Sequence, residues 1–168
     1  IYIVCDIITW QKGALTDMTP DDYLYDELCL SVYNTNRYFH RLYSRVLEPY
    51  DLSYLQYMSL LIIHQQGPLK LMDIGAALDL SSNTLTPVID KLVKKSWLHK
   101  ATSPTDKRAK VLAMPADKQP LFTQILAEVD AIRDQLLARS GRPLEEVLRE
   151  NQALNHILQT MLTEKEEG

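Results

Sequence analysis

The stretch from Leu71 to Ala113 decides the fold, and it reads LMDIGAALDLSSNTLTPVIDKLVKKSWLHKATSPTDKRAKVLA. The spacing of its apolar residues predicts a short helix over 71–79. A second helix is expected to begin at the serine pair Ser81–Ser82, because a serine oxygen caps the first backbone N–H groups of a helix. This second helix is expected to run to about Lys95.

A hairpin is predicted directly after these two helices. Residues 97–101 and 110–113 are short strand candidates, and the polar, turn-rich segment 102–108 lies between them. A short helix, a tight turn, a second helix and a hairpin together form the winged helix-turn-helix arrangement. That arrangement places one helix in the major groove of DNA and lets the hairpin reach sideways.

Helical periodicity continues on both sides of this stretch. Apolar residues at steps of three, four or seven predict a long first helix that ends near Glu48-Pro49, because proline cannot extend it. Another helix is expected over 53–64, and two amphipathic helices over about 119–139 and 144–162 finish the chain. The predicted fold class is therefore mainly α with a small β-hairpin.

The composition excludes several classes of protein. The chain has 168 residues, of which 46% are hydrophobic, so it can form one domain with a substantial core. It has no long uncharged run that would cross a membrane, and its five glycines do not cluster into a phosphate-binding loop. Two cysteines cannot form a disulfide framework, which favours a reducing, cytoplasmic compartment.

Charge is segregated along the chain. Between Gly67 and Leu112, eight basic and four acidic side chains give a net charge of +4, and the ten basic and eighteen acidic side chains elsewhere give −8. A basic central third can bind a polyanion within an acidic protein, because counterion release depends on local contacts. Charge alone favours DNA as a partner only slightly over a basic helix face that contacts water.

Residues 1–17 differ in character from the rest of the chain. This apolar stretch is short, lacks a basic flank and is interrupted by Asp6, so we expect neither a membrane span nor a signal peptide. We interpret it as a leader that is not native, with Met18 as the natural first residue. An ordinary edge strand or arm is the alternative interpretation.

The segment DLSSNTLTPVIDKL at 79–92 resembles the recognition helix of the MarR family of bacterial transcription regulators. The tip Asp106-Lys107-Arg108 matches the Asp-x-Arg wing motif of that family. The similarity extends over about residues 22–113 and departs from the family pattern at 114–119, between the wing and the next helix. The resemblance implies a single domain over 18–168, with dimerisation helices at 20–48 and 115–163 and a winged helix-turn-helix at 53–113.

Within that family the chain is most similar to the one-cysteine OhrR-type organic-hydroperoxide repressors. The residues that carry this likeness are LCLSVY at 28–33, LSYLQY at 52–57 and Tyr43. In that subgroup a cysteine near the start of the first helix senses peroxide and is surrounded by tyrosines. The resemblance therefore implies an organic hydroperoxide as oxidant and a redox-sensing group made of Cys29, Tyr33, Tyr43 and Tyr54.

Helix geometry constrains how these four residues can meet. Tyr33 lies one turn from Cys29 on the same helix face. Tyr43 is fourteen residues from Cys29, which is about 21 Å along a straight helix. Tyr43 therefore reaches Cys29 only from a second, antiparallel copy of the helix, which predicts an intertwined two-fold homodimer. The competing interpretations are an inert core cysteine and ordinary packing of the tyrosines.

The resemblance and these four residues together imply a redox-controlled repressor. Reduced Cys29 would hold the dimer in the form that fits a pseudo-palindromic operator in double-stranded DNA. Oxidation to sulfenic acid would break the tyrosine hydrogen bonds and release the DNA. The candidate DNA contacts lie at the start of the recognition helix, on its basic flank and at the wing tip; they are Ser82, Asn83, Thr84, Thr86, Pro87, Lys91, Asp106, Lys107 and Arg108.

Neither a metal, nor a cofactor, nor an enzymatic activity is expected. The four histidines have no ligand spacing with one another or with either cysteine, and no Gly-x-Ser-x-Gly elbow occurs. Two alternatives stay open. One is a MarR-type regulator controlled by a small aromatic ligand in a tyrosine-lined pocket. The other is a thiol peroxidase that uses Cys29, which would need a resolving thiol or an external reductant.

Overall fold

A computed structural model describes residues 28–102 and 108–164. They fall into two compact units: a winged-helix unit made of 37–102 and 108–129, and a terminal unit made of 28–36 and 130–164. The predicted class, mainly α with one hairpin, is confirmed. The helices and strands are α1 (Leu28–Leu47), α2 (Tyr54–Gln66), α3 (Leu71–Leu78), α4 (Ser82–Lys94), β1 (His99–Thr102), β2 (Lys110–Ala113), α5 (Gln119–Ser140) and α6 (Leu144–Thr163), with single 3-10 turns at Glu48–Tyr50 and Ala116–Lys118.

A reciprocal cap fixes the start of α2. The Ser53 hydroxyl accepts a hydrogen bond from the Gln56 backbone N–H at 3.3 Å, and the Gln56 side chain accepts one from the Ser53 N–H at 2.9 Å. Two donors at the start of the helix are thereby satisfied. The helix ends at Gly67, whose φ of +83° lies in the region that glycine adopts without strain.

The turn between α3 and α4 depends on close backbone approach. Asp79 ends α3 with a left-handed φ of +53°, and the Leu80 N–H donates to the Gly75 carbonyl at 2.9 Å. A Cβ at Gly75 would lie 2.8 Å from the Leu80 carbonyl oxygen, so the turn needs a glycine there. Ser81 then caps α4 by accepting from the Thr84 N–H at 3.4 Å, as its position in the sequence predicts.

The hairpin begins two residues later than the predicted strand 97–101. Ser96 has a φ of +60°, and the Trp97 and Leu98 N–H groups both donate to the Leu92 carbonyl at the end of α4. These two buried residues therefore finish the helix and do not pair with β2. His99 pairs with Ala113 at the base of the antiparallel hairpin, and Thr102 pairs with Lys110.

Residues 114–119, where the chain departs from the family pattern, form an ordered joint. Met114 is buried, and Pro115 accepts a hydrogen bond from the Lys118 N–H at 3.0 Å in a 3-10 turn. The Lys118 ammonium lies 5.4 Å from the centre of the Trp97 ring, a cation–π arrangement. The joint thus fixes the start of α5 against the residues that directly follow α4.

One hydrophobic core lies inside the winged-helix unit. Phe122 is fully buried, and its ring centroid lies 5.3 to 6.5 Å from the rings of His64, Tyr57 and Trp97. Each helix of this unit contributes an apolar side chain to the core; examples are Leu47, Leu60, Ile74, Leu85, Leu92 and Ile125. This core holds α4 by one face only, which leaves its other face outward.

The terminal unit has apolar side chains in contact with solvent. Tyr33 is 58% exposed on α1, and Ile157 and Leu162 on α6 are 56% and 67% exposed. Between α5 and α6, the Arg142 guanidinium donates to the carboxylates of Glu146 and Glu150. Among residues 28–102 and 108–164, no helix has both the length and the apolarity of a membrane span.

Candidate nucleic-acid interface and redox site

The start of α4 presents short polar side chains outward. Leu85, Ile89 and Leu92 are buried at helical spacing, while Asn83, Thr84, Thr86 and Pro87 are exposed. Ser82 differs from the other candidates because it is partly buried. Its hydroxyl donates to the Met72 sulfur of α3 at 3.2 Å.

The side-chain amide of Asn83 is available for further hydrogen bonds. In the part of the chain that the structure describes, its exposed side-chain amide makes no hydrogen bond, so a donor and an acceptor face solvent. Pro87 has no N–H, and the Asn83 carbonyl therefore lacks its usual donor one turn on. Thr86 differs, because its hydroxyl donates to the Ser82 carbonyl at 2.7 Å.

The lysines along α4 have different partners. Lys91 and Lys94 are exposed and form no ion pair with any described residue. Lys95 pairs with the Asp51 carboxylate at 3.0 Å and also donates to the Asp51 carbonyl. By sequence Lys95 continues the basic flank of this helix, but in the structure it holds the turn after α1.

The wing tip is only partly described. Arg108 is the first described residue after Thr102, and it is exposed. Asp106 and Lys107 lie outside the described residues. The predicted orientation of Arg108 by Asp106 therefore stays a prediction.

The four predicted redox residues are divided between the two units. Cys29 and Tyr33 belong to the terminal unit, and both are exposed on α1. Tyr43 and Tyr54 belong to the winged-helix unit, where their ring centroids lie 5.3 Å apart at an interplanar angle of 77°. The structure thus brings two of the predicted tyrosines together within one chain.

Two further aromatic residues belong to the same cluster. The His40 ring lies 4.7 Å from that of Tyr54, and the buried Tyr57 ring lies 6.5 Å from both tyrosines. Burial raises the pKa of Tyr54 further above neutral pH, and its protonated hydroxyl can donate a hydrogen bond. The site prediction missed His40 and Tyr57, although each lies three residues from a predicted tyrosine on its helix and hence on the same face.

The described ranges hold no group of three or more histidine, cysteine or acidic side chains arranged to bind a metal ion. The chemistry available is therefore that of exposed polar and basic groups on α4, an accessible thiol and a half-buried aromatic cluster.

Comparison with known proteins identifies the winged-helix segment. The family model for the MarR family matches residues 52–110. The transcriptional regulator SarZ of Staphylococcus haemolyticus (strain JCSC1435) is 31% identical over 88 residues, which cover 52% of this chain. The chain spans 60% of SarZ, less than two thirds of its length. MgrA of Staphylococcus aureus, also a transcriptional regulator, is 26% identical over 89% of this chain and 99% of its own.

A solved structure with the same fold is reduced AbfR bound to DNA. It is 28% identical, with a TM-score of 0.63 over 84% of this chain and 96% of AbfR. AbfR, a protein of Staphylococcus epidermidis, has also been solved in an overoxidized form bound to DNA and in a disulfide-formed state. SarZ and MgrA are both named as transcriptional regulators. By the family model, these relatives and the shared fold, the winged-helix segment 52–110 is similar to MarR-family transcription regulators.

Proposed function

We propose that the chain is a dimeric repressor that binds double-stranded DNA and releases it when an organic hydroperoxide oxidises Cys29. The observation that carries the DNA-binding part is the polar, exposed start of α4, opposite a face that is buried in the core. This is the arrangement of a recognition helix, whose first residues contact base edges in the major groove. The DNA complex of AbfR, which is similar in fold, supports the proposal.

Each candidate side chain has a role that fits its surroundings. The Asn83 amide offers the donor and acceptor pair that matches adenine. The Thr86 hydroxyl is already used within the helix, so its methyl group is suited to a thymine methyl. Lys91 is suited to a phosphate, and Arg108 to the minor groove beside the wing. We propose Ser82, Thr84 and Pro87 as further contacts of the recognition helix, and Asp106 and Lys107, which lie outside the described residues, as further contacts by sequence.

A second copy of the chain is the proposed partner of the terminal unit. On α1, the large apolar side chains of Leu28, Val32 and Tyr33 are exposed. A larger set of apolar side chains is exposed on α6. Exposed large apolar side chains in this number are typical of an interaction site. A two-fold dimer would present two recognition helices to half-sites about 34 Å apart, which implies a pseudo-palindromic operator. The exposed set on α6 consists of Leu148, Ile157, Leu158, Met161 and Leu162.

The proposed sensing step is a two-electron oxidation of Cys29. The thiolate sulfur attacks one peroxide oxygen, the O–O bond breaks, and the hydroperoxide leaves as the corresponding alcohol. Cys29 becomes a sulfenic acid. The new oxygen disturbs hydrogen bonds from tyrosine hydroxyls, among them the protonated Tyr54 of the partner copy, and the spacing of the recognition helices changes.

Fluorescence anisotropy on DNA from upstream of the protein's own gene tests this proposal. A stoichiometric organic hydroperoxide should release the wild-type protein and leave Cys29→Ser bound. Cys5→Ser is the matched control, because it removes the only other cysteine of the chain and should respond like the wild type. Release of Cys29→Ser, or failure of the reduced protein to bind any upstream fragment, would contradict the proposal.

The aromatic cluster favours a second candidate function. Four rings from α1 and α2, those of His40, Tyr43, Tyr54 and Tyr57, lie within 6.5 Å of a neighbouring ring. Such a surface suits stacking with a small aromatic effector. In the same assay this candidate predicts that a small phenolic acid releases both the wild type and Cys29→Ser.

A further inference from the structure

Met72 is a sulfur-containing residue that the proposed sensing step does not use. Its side chain is 68% exposed on α3, although methionine is usually a core residue. Its sulfur lies 3.2 Å from the hydroxyl oxygen of Ser82, the first residue of α4. An oxidisable atom is therefore in direct contact with the start of the proposed recognition helix.

We propose that Met72 is a second oxidation site, at which hypochlorous acid forms a methionine sulfoxide that weakens DNA binding. The inference rests on the proposed DNA-binding function and is independent of Cys29. The thioether sulfur takes the oxygen of hypochlorous acid, the O–Cl bond breaks, and chloride and a proton are released. We name this oxidant because a neutral thioether is a weaker nucleophile than a thiolate and needs a stronger oxygen donor than a stoichiometric hydroperoxide.

The contact with Ser82 explains why this oxidation would reach the DNA. A thioether sulfur is a weak acceptor, and the sulfoxide replaces it with a strongly polar oxygen. That oxygen occupies the space between the sulfur and the Ser82 hydroxyl, so the hydroxyl must move or form a different hydrogen bond. Ser82 directly precedes Asn83, the side chain assigned to base contact, and the backbone that positions Asn83 moves with it.

The surroundings of Met72 add an electrostatic effect. In a helix-turn-helix the first helix, here α3, crosses the DNA backbone. The Met72 side chain, made bulkier and more polar by the added oxygen, would thus lie near the phosphates. Loss of one hydrogen bond between the protein and a phosphate weakens DNA affinity by about tenfold.

The chain supplies a matched control in Met161. Its side chain is 59% exposed in a single copy of the chain and lies on α6, on the face proposed for the dimer, so Met161→Leu removes any loss of affinity that oxidation of the dimer face would cause. Met114, in contrast, is only 8% exposed and should be oxidised last. Leucine replaces an exposed helical methionine without loss of helix propensity, so Met72→Leu and Met161→Leu should both fold.

The experiment uses the full chain with both cysteines replaced by serine. Anisotropy gives its DNA affinity before and after limited treatment with hypochlorous acid, and peptide mass spectrometry locates each added oxygen. The parent and Met161→Leu should lose about tenfold in affinity, while Met72→Leu keeps its affinity. Methionine sulfoxide reductase should restore the parent.

Two results would overturn the inference. One is an equal loss of affinity in Met72→Leu and in the parent, and the other is an oxygen on Met72 without any loss of affinity. Failure of the untreated proteins to bind DNA would be a different result. It would contradict the proposed function, and with it the effect assigned to Met72.

Discussion

Replacing Gly75 with alanine tests the account of the α3–α4 turn. Gly75 is buried in α3, and its carbonyl accepts the hydrogen bond of the Leu80 N–H at 2.9 Å. A Cβ at position 75 would lie 2.8 Å from the Leu80 carbonyl oxygen and 3.8 Å from Cδ2 of Leu85. The obstacle is backbone, which cannot rotate away as a side chain can, so the new methyl group must displace the turn.

The size of the effect is set by two opposing contributions. Alanine is favoured over glycine inside a helix by about 1 kcal/mol. Inserting a methyl group into a packed site costs about 1–3 kcal/mol. A contact with the backbone carbonyl of Leu80 belongs at the upper end of this range, because that carbonyl cannot rotate away. We therefore expect Gly75→Ala to lower the free energy of unfolding by about 1–2 kcal/mol, which for a chain of this length lowers Tm by about 2–8 °C.

Urea and thermal unfolding at one fixed protein concentration measure this difference, since the stability of the proposed dimer would depend on concentration. Ala76→Gly on the exposed side of α3 is the control and should cost only the propensity difference of about 1 kcal/mol. DNA affinity should fall more for Gly75→Ala than for Ala76→Gly, because the turn positions α4. A Gly75→Ala protein as stable as the wild type would refute the reasoning.

Three further predictions concern other parts of the winged-helix unit. Phe122→Ala should lower the free energy of unfolding in urea by about 3–5 kcal/mol, because the ring is fully buried among other aromatic rings. Lys91→Ala should weaken binding to all DNA sequences equally, and it should reduce the slope of log affinity against log salt concentration by about one. Lys95→Ala should change that slope less, because Lys95 pairs with Asp51. Tyr50→Phe removes a 2.6 Å hydrogen bond that lowers the pKa of Glu128, so an NMR titration should show that pKa rising. The stabilisation from this carboxylate is present at neutral pH and lost as the pH falls through its lowered pKa, so the variant should lose less stability on acidification.

Most of the fold is predictable from local sequence signals. Ser81 caps α4 as predicted, and Ser53, the first residue of the helix expected over 53–64, caps α2. Pro49 and Gly67 mark helix ends, and the period of the apolar residues identifies the buried face of α4. These signals act within a few residues of the chain, which is why the sequence alone suffices for them.

The features that the sequence did not predict depend on contacts between elements. The start of β1 moves to His99 because the Trp97 and Leu98 N–H groups bond back to α4. Lys95 looks like a phosphate-binding lysine until its pairing with Asp51 is known. The contact between Ser82 and Met72 joins two helices across a turn, and no periodicity predicts it.

The most direct test of the central claim measures DNA release and Cys29 oxidation in one titration. Wild-type protein bound to its upstream DNA is treated with increasing organic hydroperoxide, while anisotropy gives the released fraction and mass spectrometry after sulfenic-acid trapping gives the oxidised fraction of Cys29. The account predicts that the two fractions rise together from the first additions of oxidant. Full release with Cys29 still reduced, or full oxidation of Cys29 with the DNA still bound, would contradict it.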